Sequence, residues 1–306
     1  LEFSYDEAVT VTPRRFPFCF RNGGRLASHY AMIGVAYVVG NFPLYYDATN
    51  EKGLSMAGLN FPGEADYKQP VAGKDNIAPF EFIPWVLGQC ADLTQARALL
   101  ERLNIVGLPF NDQLPLTPLH WIIADREGCL TVECVREGLK VYDNPVGILT
   151  NSPPFDFQMW NLSSYMSLSR DSAPVNRFCP QLELKPYSRG MGAIGLPGDL
   201  SSASRFVRAA FTRMNSVSGE SEAESVNQFF HILGSVMQQR GCCLMEDGKY
   251  EFTIYSSCCN TDRGIYYYVT YDNSQLSAVD MHREDLDAST LAVYPLLTSQ
   301  QVQFLN

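Results

Sequence analysis

Apolar and polar positions in this chain follow two periods, in separate blocks. In LEFSYDEAVTVTP (1–13), Val9 and Val11 alternate with Ala8 and Thr10, which reads as a strand already under way close to the first residue. The run YAMIGVAYVVG (30–40) is rich in β-branched residues and too short for a membrane helix, so it predicts a buried strand. From Leu119, LHWIIADREGCLTVECVREGLKVYDNPVGILTN (119–151) predicts four consecutive strands, separated by turn signals at Asp125–Gly128, Glu137–Gly138 and Asp143–Pro145. Strands joined so closely pair antiparallel, because parallel pairing needs a long crossover. A second β block, YEFTIYSSC (250–258), GIYYYVTYD (264–272) and LSAVDM (276–281), lies near the C-terminus.

Helical periods fall between and around these blocks. LTQARALLERL (93–103) has high helix propensity throughout. In SSASRFVRAAFTRM (201–214), Phe206, Val207, Ala210, Phe211 and Met214 form one apolar face, with Asp199 or Ser201 as the cap. In EAESVNQFFHILGSVM (222–237), Val226, Phe229, Phe230, Leu233 and Met237 keep the 3.6-residue period. Two antiparallel β blocks with grouped helices argue for an α+β fold and against a doubly wound sheet.

Composition narrows the function classes. The 306 residues are 46% apolar and 18% charged, which is a globular balance with room for a large core. A net charge of −10, with no Lys/Arg run to offset it, disfavours nucleic acid and anionic membrane surfaces as partners. Glu2, Asp6 and Glu7 stand where a secretion signal would be basic and then apolar. Nine Cys, an odd number in a chain of this size, suggest free thiols in a reducing compartment, with the cytoplasm as the default.

Several motifs tempt and fail. GMGAIG (190–195) is a literal G-x-G-x-x-G, but Pro197 and Gly198 fall where the phosphate-binding helix would run. GLSMA (53–57) is one glycine short of a hydrolase elbow and continues into GLNFPG rather than a helix. Cys242–Cys243 and Cys258–Cys259 are adjacent pairs, and His29, His120, His231 and His282 lack ligand spacing, so no metal site and no cofactor is expected. His120 and His231 read as structural. Three polar positions remain: Asn60 at the end of an apolar strand, Asn151 at the end of another, and Arg205 in the first turn of a helix. Singly, each has a plain reading as a turn Asn or a solvated Arg. Arg205 also sits at the helix end that disfavours a cation, and such a cost without a packing return often marks a site.

Taken together, NEKGLSMAGLNFPG (50–63), PFEFIPWVLGQC (79–90), LHWIIAD (119–125), VYDNPVGILTNSPPFDFQ (141–158), AIGLPGDLSSASRFVRA (193–209), FFHILGSV (229–236), IYSSCC (254–259) and GIYYYVTYDN (264–273) resemble the choloylglycine hydrolase family. Within it the chain is similar to bile salt hydrolases, and the related penicillin V acylases are the sibling class. The resemblance implies one domain over 1–306 with the four-layer αββα sandwich of the N-terminal-nucleophile hydrolases. It implies amide hydrolysis of glycine- or taurine-conjugated bile salts by a mature N-terminal Cys, through an acyl-thioester.

It further implies that the backbone N–H of Asn60 helps form the oxyanion hole and that Asn151 donates from its side-chain amide. Arg205 reaches into the site and favours a thiolate. Asn rather than Tyr at position 60 leans toward bile salts. Phe110 and Leu114, in LPFNDQLPL (108–116), are expected to line an apolar steroid pocket. A homotetramer is expected from the family alone. The family's Cys nucleophile, a second Arg and an Asp fall ahead of Leu1 in the matched pattern, so the expectation is that the molecule carries those residues before Leu1. A chain truly beginning at Leu1 would bind bile acids without turnover. Cys19, in PFCFRNGG, imitates the Cys–Arg–Asn arrangement but lies beyond the matched strand and reads as an ordinary thiol.

Overall fold

A computed structural model describes residues 6–172 and 175–306. Its largest sheet runs in the order Gly138–Asp143, Cys129–Val135, Leu119–Ala124, Ser55–Asn60, Asp47–Asn50, Met32–Val39, Ala8–Thr12 and Ala292–Pro295, with Phe42–Tyr45 paired to Met32–Val39. A second sheet holds Tyr255–Asn260, Ile265–Thr270 and Ser277–Asp280. Pairing is antiparallel throughout both.

Strand alternation sorts the core into two layers. Val9, Val11, Ile33 and Val35 pack against Tyr266, Tyr268 and Met281, so this face of the large sheet meets the second sheet. Met32, Ala36, Ala48, Met56 and Trp121 point the other way, against helices α1 (Phe82–Gln89) and α2 (Leu93–Leu100). Met32–Val39 is therefore covered on both faces, which is why YAMIGVAYVVG is continuously apolar. Gly34 is required inside it: a Cβ there would stand 1.9 Å from the Asp47 carbonyl oxygen.

Helix α3 (Phe155–Asn161) packs on α4 (Ser202–Asn215). Helix α5 (Glu222–Gly234) packs on α4 and on Tyr255–Asn260, closing the outer side of the second sheet. The order helices, sheet, sheet, helices is the αββα sandwich.

Three departures from the sequence pattern stand out. Helix α2 stops at Leu100, and Leu103–Ile105 forms a short strand parallel to Asp75–Ile77, the pair being bridged by α1 and α2. Helix α5 ends at Gly234, short of Met237. The expected fourth strand of the 119–151 block does not form. Asn144 donates from Nδ2 to Thr131 Oγ1 (3.0 Å) and Ile148 O (2.8 Å) and accepts from the Gly147 N–H (2.8 Å), while Gly147 adopts φ +59°. That closed turn sends 147–151 back across the sheet end instead of along its edge.

Candidate active site

Asn60 is the last residue of Ser55–Asn60, opposite Leu119. Phe61 N–H donates to Pro118 O (2.8 Å), whereas Leu119 N–H turns away to the Tyr67 phenol oxygen (2.6 Å). Antiparallel rungs alternate sides, so the Asn60 N–H faces away from the Leu119 strand. Gly58 N–H, on that same side, donates to Tyr46 O (2.9 Å). The Asn60 donor stands one step past this rung.

The returning segment brings Asn151 to the same place. Its Nδ2 donates to Asn60 O at 2.8 Å, and its Oδ1 accepts from Arg205 Nη2 at 2.7 Å. These partners fix the amide orientation, since a carbonyl only accepts and a guanidinium only donates. Arg205 Nε also donates to Leu200 O (3.0 Å). Three residues separated by 91 and 54 positions thus form one hydrogen-bonded chain. Both acceptors of Arg205 are neutral oxygens, so its charge is not cancelled by contact. Burial pushes the guanidinium below its ordinary range; Glu251 and Cys243 oppose that shift and Arg208 reinforces it.

Helix α4 explains why Arg205 lies where it does. Ser201 is the N-cap, accepting from the Ser204 N–H, and Asp199 accepts from the Ser204 hydroxyl (2.6 Å). Phe206, Val207 and Ala210 are buried, which turns Arg205 toward the loop rather than into the apolar stripe. The neighbouring Ser202 clips that loop: its Oγ accepts from the Asn151 N–H (2.8 Å) and donates to Thr150 Oγ1 (3.0 Å). Ser152 Oγ adds a bond to Pro62 O (2.8 Å).

Beneath both loops lie His120 and Glu133, each 0% exposed and 3.0 Å apart. Ser202, Ser152 and Glu133 were invisible as site residues to motif reasoning. The available signal was Glu133 itself, a carboxylate at an inward position of the apolar strand LTVECV.

Phe110 and Leu114 are half-buried on the segment that leads into Leu119, the cross-strand partner of Asn60. Phe110 packs edge-on against Phe80 (5.2 Å) and lies 6.0 Å from Phe42. Arg21 holds this loop by donating to Pro109 O (2.7 Å) and Phe110 O, with its guanidinium over both the Phe80 and Phe110 rings. Asn111 Oδ1 accepts from the Leu114 N–H (2.8 Å) and sets its turn. Two surface cavities, of about 540 and 410 Å³, are lined by neither these two residues nor Asn60, Asn151 or Arg205. The larger lies by Lys74, Arg97 and Asn104, the smaller by Tyr67, Gly107 and Leu116.

The tempting motifs resolve simply. Met191–Ala193 is a short 3₁₀ turn in GMGAIG, and the next α-helix opens only at Ser202. Ser55 and Met56 lie inside a strand. Cys19 is exposed on the hairpin strand Phe18–Phe20. Among the described residues no cluster of His, Cys, Asp or Glu is placed to hold a metal ion, and no helix is long and apolar enough to cross a membrane.

The αββα sandwich is the fold of the N-terminal-nucleophile hydrolases. A family model described as linear amide C–N hydrolases, choloylglycine hydrolase family, matches residues 1–294, and the chain belongs to that family. It is 56% identical over 305 residues to a bile salt hydrolase/transferase of Lactiplantibacillus plantarum, covering 100% of this chain and 94% of the relative. It is 37% identical to a bile salt hydrolase/transferase of Clostridium perfringens, at 100% and 94% coverage. A crystal structure of a conjugated bile acid hydrolase variant from Clostridium perfringens superposes with TM-score 0.92 at 36% identity, covering 100% of this chain and 94% of that one. A penicillin V acylase from Agrobacterium tumefaciens, 19% identical, shares the fold at TM-score 0.73, covering 97% and 87%.

Proposed function

We propose that this protein hydrolyses the amide bond of glycine- or taurine-conjugated bile salts, using the N-terminal cysteine of its family as nucleophile. The thiolate adds to the amide carbonyl, and the cysteine's own α-amino group carries the proton to the leaving glycine or taurine nitrogen. Water then cleaves the acyl-thioester to free bile acid. The negative oxygen formed at each addition needs preorganised neutral donors. The Asn60 N–H supplies one. Asn151 supplies another, because only one of its two amide hydrogens is spent on Asn60 O. Arg205, donating to Asn151 Oδ1, polarises that amide and adds positive potential that favours a thiolate nearby.

The observation that carries this reading is the single hydrogen-bonded chain through Asn60, Asn151 and Arg205, in a protein so similar to named bile salt hydrolases. Phe110 and Leu114 contribute to the apolar wall for the steroid. The protein works as one domain over 1–306, in the cytoplasm, as a homotetramer and without a metal or cofactor.

Turnover of glycocholate, taurocholate and penicillin V, followed by amine release, tests the substrate class. Both bile salts are expected to be hydrolysed faster than penicillin V. Faster release from penicillin V would replace this reading with the acylase one.

A further inference from the structure

We propose that His120, paired with Glu133, is the positioning residue that fixes Asn60 and Asn151 relative to each other; this rests on reading those two residues as oxyanion donors. The imidazole lies under two loops to which it does not belong. One face is stacked flat on Phe61, centroids 4.1 Å apart and planes at 9°, and Phe61 directly follows Asn60. Nε2 donates to Thr150 O at 2.9 Å, and Thr150 directly precedes Asn151. Nδ1 faces Glu133 Oε1 at 3.0 Å, and the same carboxylate accepts the Phe155 N–H at 3.0 and 3.3 Å. The segment 150–155 is thereby pinned at both ends by one buried pair whose ring also carries the neighbour of Asn60.

The hydrogen-bond pattern points to geometry as the mode of action. A carbonyl oxygen can only accept, so Nε2 donates to Thr150 O, while Nδ1 is held by Glu133. Buried polar pairs are poor stabilisers next to apolar side chains of the same shape, so a pair fully buried beside the Phe61 ring calls for a return other than stability. Placement of two donors to within a few tenths of an ångström is such a return, because a misplacement of about 1 Å can cost on the order of a hundredfold in rate.

The test compares wild type with His120→Phe, which keeps a flat ring on Phe61 and removes both ring nitrogens, and His120→Gln, which restores a donor toward Thr150 O. Glycocholate kinetics are expected to show kcat lowered by about tenfold or more in His120→Phe with KM within about threefold, and partial recovery in His120→Gln. Hydrogen exchange by mass spectrometry is expected to accelerate at 58–62 and 148–156 and not elsewhere. A folded His120→Phe with kcat within about twofold of wild type, or with its whole loss in KM, overturns the assignment. Should His120→Phe fail to fold, His120→Gln decides: it is expected to lose several-fold in kcat with local loosening, and wild-type behaviour in both readouts overturns the idea. If wild type hydrolyses no conjugated bile salt, the substrate reading fails separately. Exchange at 150–155 then still settles the positioning role, which unchanged protection in the variant would refute.

Discussion

At the scale of single residues, Asn60 and Asn151 make different demands on a mutation. In the proposed mechanism Asn60 contributes a backbone N–H and a backbone carbonyl, so Asn60→Ala leaves both in place. Asn151→Ala deletes the amide that bonds Asn60 O and the acceptor that holds Arg205. Loss of one preorganised oxyanion donor costs about 10²–10³ in kcat. Asn151→Ala is therefore expected to fall in that range with little change in KM, and Asn60→Ala to fall distinctly less. Steady-state kinetics on one bile salt check the ranking. An Asn60→Ala enzyme as impaired as Asn151→Ala would move the Asn60 role from its backbone to its side chain. Sequence spacing could not have assembled these residues. They became legible through the joint occurrence of family segments, while the bonds that join them depend on a loop path no local pattern encodes.

At the scale of elements, periodicity was a good guide wherever one face is buried. The helix beginning at Ser202 and the double-sided strand Met32–Val39 follow directly from their apolar positions. It failed at GILTN, whose β-branched residues read as a strand. The Asn144 side chain competes there with ladder bonding and closes a turn, an effect of local hydrogen bonding rather than hydrophobic period. That misreading matters because the diverted segment carries Asn151. The first turn of α4 also holds it, through Ser202. Ser202→Ala removes the acceptor of the Asn151 N–H and the donor to Thr150 Oγ1. A loss of about 1–2 kcal/mol is expected from these partly buried bonds. Urea unfolding is expected to show the lower stability, and kinetics a several-fold lower kcat with KM unchanged. Lower stability with full kcat would show that the clip holds the fold and not the donor.

At the scale of the whole molecule, the two sheets are joined through an apolar layer that also holds the Asp47 carboxylate. Asp47, on the large sheet, accepts from the Tyr255 and Tyr266 phenols of the second sheet at 2.8 and 2.5 Å. Nothing in YYDATN marked this Asp beforehand, because its partners lie more than two hundred residues away in sequence. Burial raises its carboxyl from 3.8 to about 6, against the two phenol bonds and a backbone bond from Val35, which favour the ionised form. The sign for stability follows from linkage. Below the unfolded value of 3.8 both states hold the proton and the contribution is complete. Between there and about 6 the unfolded chain ionises while the folded one does not, so stability falls as pH rises. The full displacement corresponds to at most about 3 kcal/mol, reached above the folded value and constant beyond it. Asp47→Asn keeps an acceptor for Tyr266 and an amide donor toward the Tyr255 oxygen, and cannot ionise. Its stability relative to wild type is therefore expected to improve from pH 4 to pH 6.5 and then level off, as read from urea midpoints at each pH. A difference that stays flat means the two phenols stabilise the carboxylate as well as water does. A difference that runs the other way means they outweigh burial, and the bridge between the sheets is then an ionic one at every pH where the protein is folded.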